Sequence, residues 1–124
     1  MADDKISILI VDDDLDLLWM YQELFEIEGF RVLVAPSAIE AIEVYKNNQD
    51  IRLIISDSTM EPVSGIEFLQ YLKKTYQTIP IFYLATGDLE MSEEFVKLQG
   101  GSGLVLKPFE LDEIFIKIRK DLKL

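Results

Sequence analysis

With 124 residues, 49% of them apolar, the chain has material for one packed domain and not for two. Its net charge of −11, from 23 acidic against 12 basic side chains, disfavours direct binding to nucleic-acid phosphates or to anionic membranes. Cys and His are both absent, which excludes disulfides, thiolate chemistry, zinc–histidine sites, Ser-His-Asp triads and phosphohistidine. No apolar run approaches the roughly 18 residues of a membrane span, and the acidic start Met1-Ala2-Asp3-Asp4-Lys5 lacks the positive charge of a signal peptide. A soluble, cytoplasmic protein is expected.

Short apolar runs alternate with amphipathic stretches along the chain. Ile6 to Val11 predicts a first strand that stops at Asp12-Asp13-Asp14, with Asp14 placed to cap a helix. Leu17, Met20, Leu24 and Ile27 then recur at helical spacing up to Gly29. Arg31 to Ala35 predicts the second strand, and Ser37 with Glu40 has the spacing of a capping box before a helix carrying Ala38, Ala41 or Ile42, and Tyr45. Ile51 to Ser56 predicts the third strand, followed by a loop and a helix to about Tyr76 with Leu69 and Leu72 inward. Ile79 to Ala85 predicts the fourth strand, Ser92 to Gln99 a short helix, and Leu104 to Leu106 the fifth strand. A last helix carries Leu111, Ile114, Ile118 and Leu122. Strands separated by helices imply right-handed crossovers and a parallel α/β sheet covered on both faces. The runs Ile8–Val11, Leu53–Ile55 and Leu104–Leu106 read as central, buried strands.

In such sheets ligands bind beyond the carboxyl ends of the strands. Asp12 and Asp13 end strand one, Asp57 ends strand three, Thr86 strand four and Lys107 strand five. Clustered carboxylates repel one another, and a divalent cation with a preference for oxygen, Mg²⁺ above all, resolves the conflict. An ionised Asp is also a nucleophile competent toward phosphorus, and Lys107 and the Thr86 hydroxyl are placed to neutralise phosphoryl charge.

These residues carry a resemblance. The chain resembles a receiver domain of the two-component response regulators over about Lys5 to Leu122, leaving residues 1–4 and 123–124 as short tails. The motifs are Val11-Asp12-Asp13, Asp57 with Met60 and Gly65 three and eight residues on, Thr86-Gly87, and Lys107-Pro108-Phe109. The resemblance implies a flavodoxin-like, doubly wound fold with five parallel strands in the order 2-1-3-4-5. It implies that Asp57 accepts a phosphoryl group from a sensor histidine kinase or a histidine phosphotransfer protein. Asp12, Asp13, the Asp57 carboxylate and the main-chain carbonyl of Thr59 would hold Mg²⁺, or Mn²⁺ in its place. Thr86 would hydrogen-bond the phosphoryl group, Lys107 would pair with it, and the Lys107–Pro108 bond would be cis. The chain would not be an enzyme beyond its own phosphotransfer and autodephosphorylation, and its altered surface would act on a downstream protein. With the last helix ending near Leu124, a stand-alone receiver of the chemotaxis-regulator type is the expectation.

Three positions depart from the family pattern. Glu61 stands where Pro is common, with Pro62 one residue later, which implies a shifted turn and an added charge near the metal. Counting from Pro80 puts the hydroxyl position at Ala85, whereas Thr86 is followed by the small residue the motif wants; a bulge or a different strand start would absorb the offset. Leu104 replaces an aromatic residue often found three before the lysine, which points to Gly87 to Ser92 and the short fourth helix as the route of output. Thr59 and Asp88 either tune dephosphorylation or are ordinary loop residues. Trp19 lies off the helix stripe, at a partner surface or on ordinary surface, and Phe82, Tyr83 and Phe109 read as core or pocket wall. The rival functions are an FMN carrier of the same architecture, an aspartyl-nucleophile phosphatase, and a pseudo-receiver that binds partners without phosphorylation. Acidic residues after strand one oppose the first, and Thr59 in place of a second Asp opposes the next.

Overall fold

A computed structural model describes residues 4–124; of the short N-terminal tail, residues 1–3 lie outside the described part. Ten elements alternate: β1 (Ser7–Val11), α1 (Leu15–Ile27), β2 (Arg31–Ala35), α2 (Ala38–Lys46), β3 (Ile51–Asp57), α3 (Gly65–Thr75), β4 (Ile81–Thr86), α4 (Glu93–Leu98), β5 (Gly103–Leu106) and α5 (Leu111–Leu122). The strands form one sheet in the order β2-β1-β3-β4-β5, all pairs parallel, as expected for the fold. Among the described residues no helix is long and apolar enough to cross a membrane.

Because side chains alternate across a strand, each strand feeds two cores. Ile8, Ile10, Leu53, Ile55, Tyr83 and Ala85 face α1 and α5, where they meet Leu18, Phe25, Phe115 and Ile118. Leu9, Val11, Ile54, Phe82 and Leu84 face α2, α3 and α4, where they meet Ala41, Phe68, Leu72 and Val96. Phe82 and Tyr83 are thus core, as read from the sequence, and Phe109 is half-buried against the α1/α5 side.

Asp14 caps α1, its carboxylate accepting from the Leu17 N–H at 3.2 Å, as expected. The buried row of that helix differs from the predicted stripe. It is Leu18, Tyr21 and Phe25, while Met20 and Ile27 are exposed and Leu17 and Leu24 only half-buried. Two apolar rows run side by side on α1, and the one with two aromatics turns inward because it removes more area from water. Trp19 lies outside that row, 54% exposed.

Two strand assignments also change. β5 is an edge strand, not a central one, with Leu106 exposed and Leu104 half-buried; a run of three apolar residues is too short to tell the two apart. β4 starts at Ile81, after Pro80, pairs with β3 in unbroken register through Ala85, and ends at Thr86. A later strand start, with no bulge, therefore absorbs the offset at Thr86. At α2, Ser37 accepts from the Glu40 N–H at 3.1 Å, half of the expected capping box. The complete box is at α3, where Ser64 and Glu67 exchange both bonds. At the other end of the chain Lys123 closes α5 in a left-handed turn.

Beneath α5, the Tyr83 hydroxyl donates to the Asp121 carboxylate. Burial, reinforced by Asp121, pushes the phenol far above its ordinary range. Tyr83→Phe leaves a half-buried carboxylate without that donor and is expected to cost about 1–2 kcal/mol, read as a lower urea midpoint with an unchanged slope.

Candidate functional site

Sheet register brings the chemistry to one edge. Val11 pairs with Ser56, Asp57 with Ala85, and Thr86 with Leu106, so Asp12, Asp57, Thr86 and Lys107 all leave the sheet at its carboxyl end. Main-chain bonds fix the loops there: the Ser58 N–H donates to the Ala85 carbonyl and the Lys107 N–H to the Thr86 carbonyl, each at 2.8 Å.

The carboxylates of Asp12, Asp13 and Asp57 lie within 4.8 Å of one another. Asp12 is 3% and Asp57 8% exposed, whereas Asp13 opens to solvent. Lys107 Nζ bridges the two buried acids, 2.9 Å from Asp12 Oδ2 and 3.5 Å from Asp57 Oδ1. The Asp14 N–H holds the other Asp12 oxygen at 2.9 Å. Thr86 is buried, and its Oγ1 accepts from the Asp88 N–H at 3.0 Å. Five of the six residues singled out in the sequence thus place side chains at this edge; of Thr59, which is exposed, the main-chain N–H reaches the Asp57 carboxylate.

Burial pushes the Asp57 carboxyl above its ordinary value of 3.8; Lys107 opposes this, and the charges of Asp12 and Asp13 add to it. Burial alone would lower the Lys107 ammonium, but its bond to Asp12 and the charges of Asp12 and Asp57 raise it. The cluster is therefore a store of unrelieved negative charge, partly compensated by one lysine. Its hard oxygen donors at close range fit a small divalent cation. Without such an ion, Asp57→Asn is expected to stabilise the fold by about 1 kcal/mol at neutral pH. An acid with a raised folded value is most costly above that value and costs nothing below its unfolded one. The gain must therefore shrink as pH falls toward 3.8; a gain that grows with acidity, in denaturant titrations across that range, contradicts the assignment.

Met60 is buried, and the Gly65 N–H donates to the Ser58 carbonyl at 3.0 Å. Sequence reasoning missed how closely Gly65 seats against Asp57: a Cβ there would stand 2.2 Å from the Asp57 carbonyl oxygen. Glu61 is exposed and is not one of the three carboxylates of the cluster. Both Glu61–Pro62 and Lys107–Pro108 are cis, the second as expected. Leu104 packs against the α2/α3/α4 core. Tyr21, assigned no part in the sequence reading, stacks on Phe109 beside the site, ring centroids 4.5 Å apart.

The chain is thus an α/β domain whose five-stranded parallel sheet carries a lysine-bridged carboxylate cluster at its carboxyl edge. Residues 8–119 match the response regulator receiver domain, and the chain belongs to that family, the signalling domains of two-component systems. The response regulator SaeR of Staphylococcus aureus (strain USA300) is 32% identical over 111 residues, covering 90% of this chain and 48% of SaeR. The chain spans about half the length of the curated relatives it matches. Among solved structures, the chemotaxis response regulator CheY4 of Vibrio cholerae superposes with a TM-score of 0.83 at 23% identity, covering 94% of this chain and 98% of that one. The receiver domain of Ssk1 from Saccharomyces cerevisiae, solved with the histidine phosphotransfer protein Ypd1, gives 0.80 at 23% identity over 93% and 87%. At these identities the likeness to solved structures is one of fold.

Proposed function

We propose that this chain is a phosphoacceptor switch in which Asp57 takes a phosphoryl group from a phosphohistidine of a sensor kinase or a histidine phosphotransfer protein. The observation that carries this reading is the placement of Asp57 within 4.8 Å of the Asp12 and Asp13 carboxylates and 3.5 Å from Lys107 Nζ. The step is a displacement at phosphorus: an Asp57 carboxylate oxygen forms the new P–O bond, the P–N bond to imidazole breaks, and the leaving nitrogen keeps the electron pair. Attack requires the ionised Asp57 carboxylate, which burial disfavours and the neighbouring Lys107 ammonium favours. Lys107 then shifts its pairing toward the transferred phosphoryl oxygens. Thr86, whose oxygen already accepts from Asp88, keeps its hydroxyl proton to donate to the same group.

Asp12, Asp13, the Asp57 carboxylate and the main-chain carbonyl of Thr59 would hold Mg²⁺, with Mn²⁺ as a substitute. Bound there, the ion supplies neutralisation of charge on the phosphoryl oxygens. The acceptor turns over no separate substrate, and its output is a changed surface for a partner. Thr86 leads directly into Gly87–Ser92 and α4, which makes that segment our candidate for the changed surface. A phosphorylation-independent interaction module would have no use for a lysine bridging two buried acids.

The reading is tested by incubating the chain with a histidine phosphotransfer protein carrying labelled phosphate, in the presence of Mg²⁺. Label is expected to move to this chain in a form cleaved by hydroxylamine, as an acyl phosphate is, and not to move to Asp57→Asn. Equal labelling of the variant would contradict it.

A further inference from the structure

Lys107 enters the site from Lys107-Pro108-Phe109, a segment that belongs to no helix or strand. A long flexible side chain on an irregular segment keeps its ammonium within 2.9 Å of Asp12 only if the segment is fixed on both sides. On one side the Lys107 N–H donates to the Thr86 carbonyl at 2.8 Å. On the other, the Phe109 ring lies nearly parallel on Tyr21, with centroids 4.5 Å apart and planes inclined by 26°. The Phe109 main chain also meets the Tyr21 hydroxyl, and Lys107 and Asp12 both act on that hydroxyl electrostatically.

Tyr21 is suited to the task. It is 3% exposed and sits in the inward row of α1 between Leu18 and Phe25. Phe25 is in turn packed edge-on against Phe115 of α5, with ring centroids 4.9 Å apart. α1 starts directly after Asp12 and Asp13, so one rigid helix sets both the position of the acids and the seat of the lysine's segment.

We infer that Tyr21 is the positioning residue for Lys107: by stacking on Phe109 it seats the 107–109 segment so that the ammonium bridges Asp12 and Asp57. This sets how fast Asp57 takes up a phosphoryl group. The inference rests on the proposed role of Lys107 and adds a residue that never touches the phosphoryl group.

The test places Tyr21→Leu and Tyr21→Phe in the full chain, each with and without Lys107→Met. Phosphorylation by phosphoramidate with Mg²⁺ is followed by intact mass well below the melting temperature, and Tm is recorded without donor. Tyr21→Leu is expected to slow phosphorylation about tenfold, as a small misplacement of a positioning group does, while Tyr21→Phe, which keeps the ring, stays within about threefold. In the Lys107→Met background Tyr21→Leu is expected to change nothing further, since the group it seats is gone. Equal slowing in both backgrounds, no slowing in folded Tyr21→Leu, or a Tyr21→Phe rate as low as that of Tyr21→Leu would overturn the inference. Phe109→Leu breaks the same stack from the other side and repeats the test should Tyr21→Leu not fold. If the parent chain takes up no phosphoryl group, the acceptor reading fails separately, and the Tm cycle still decides. Single losses that sum to more than the double-variant loss support the positioning role, and additive losses overturn it.

Discussion

Gly65→Ala is expected to lower stability by about 2–3 kcal/mol and Tm by roughly 10 °C, a large penalty for one methyl group. The added Cβ would stand 2.2 Å from the Asp57 carbonyl oxygen and 2.7 Å from Leu84 Cδ1. Neither can yield freely. The carbonyl belongs to the last residue of β3, and Leu84 is fully buried in β4. Relief must come from α3 moving off the sheet, which stretches the 3.0 Å bond from the Gly65 N–H to the Ser58 carbonyl. Phosphorylation should fall along with stability, because the backbone displaced is that of the acceptor itself. Thermal melts beside phosphorylation rates check this. An unchanged Tm would mean that the close approach of α3 to Asp57 is not a constraint.

Lys107→Met has the second large effect, and here the sign depends on the medium. Methionine keeps the length of the side chain and removes the charge. Among the described residues Asp12 is then left buried with the Asp14 N–H as its side-chain donor, and Asp57 loses the neighbouring cation that draws its carboxyl down. Breaking a fully buried ion pair costs about 3–5 kcal/mol. The lysine side chain here is 20% exposed, so screening by solvent brings the expected loss to about 2–3 kcal/mol without a divalent cation. The same change makes the cluster more negative and strengthens cation binding. At saturating Mg²⁺ the variant should therefore recover more stability than the parent chain gains, on a scale of about 2.7 kcal/mol at a hundredfold excess over Kd. Phosphorylation remains about 10- to 100-fold slower, since the ammonium that neutralises the incoming phosphoryl group is absent. Denaturant titrations with EDTA and with Mg²⁺ check both parts. An equal Mg²⁺ gain in the two proteins would show that Lys107 and the cation do not share the cluster.

The two variants separate what the sequence discloses from what only the fold discloses. Apolar runs punctuated by Asp12-Asp13, Asp57, Thr86 and Lys107 made the parallel sheet and its chemical edge readable, because in this architecture the residue that ends a strand faces the ligand edge. The stripe on α1 was misjudged because Leu17, Met20, Leu24 and Ile27 satisfy helical spacing as well as Leu18, Tyr21 and Phe25 do. Only docking on β1, β3 and α5 chooses between the rows. Spacing likewise could not say that β5 is an edge, since Leu104 to Leu106 is apolar whether or not a sixth strand lies beyond it.

Other features depend on contacts distant in sequence. Tyr21 meets Phe109, and Tyr83 meets Asp121, across 88 and 38 positions, and no local pattern announces either pair. The capping box at α3 was missed in the sequence, although Ser64 and Glu67 have the required spacing as clearly as Ser37 and Glu40 do. The return bond is present at Ser64, where the Glu67 carboxylate accepts from the Ser64 N–H at 2.9 Å. Of the three departures from the family pattern, two proved local. Glu61 turns to solvent, and the later start of β4 puts Thr86 at the strand end. Leu104 is a different matter, because a half-buried Leu against the α2/α3/α4 core has no ring to swing between surface and interior.

The central claim is that Asp57 is a cation-dependent phosphoacceptor. The most direct measurement is the intact mass of the chain after incubation with acetyl phosphate or phosphoramidate, with Mg²⁺ or with EDTA, beside Asp57→Asn. The account predicts a single phosphoryl adduct that forms only with Mg²⁺ and is absent from the variant. An adduct that persists in Asp57→Asn, or no adduct and no Mg²⁺ binding in the folded parent chain, would contradict it.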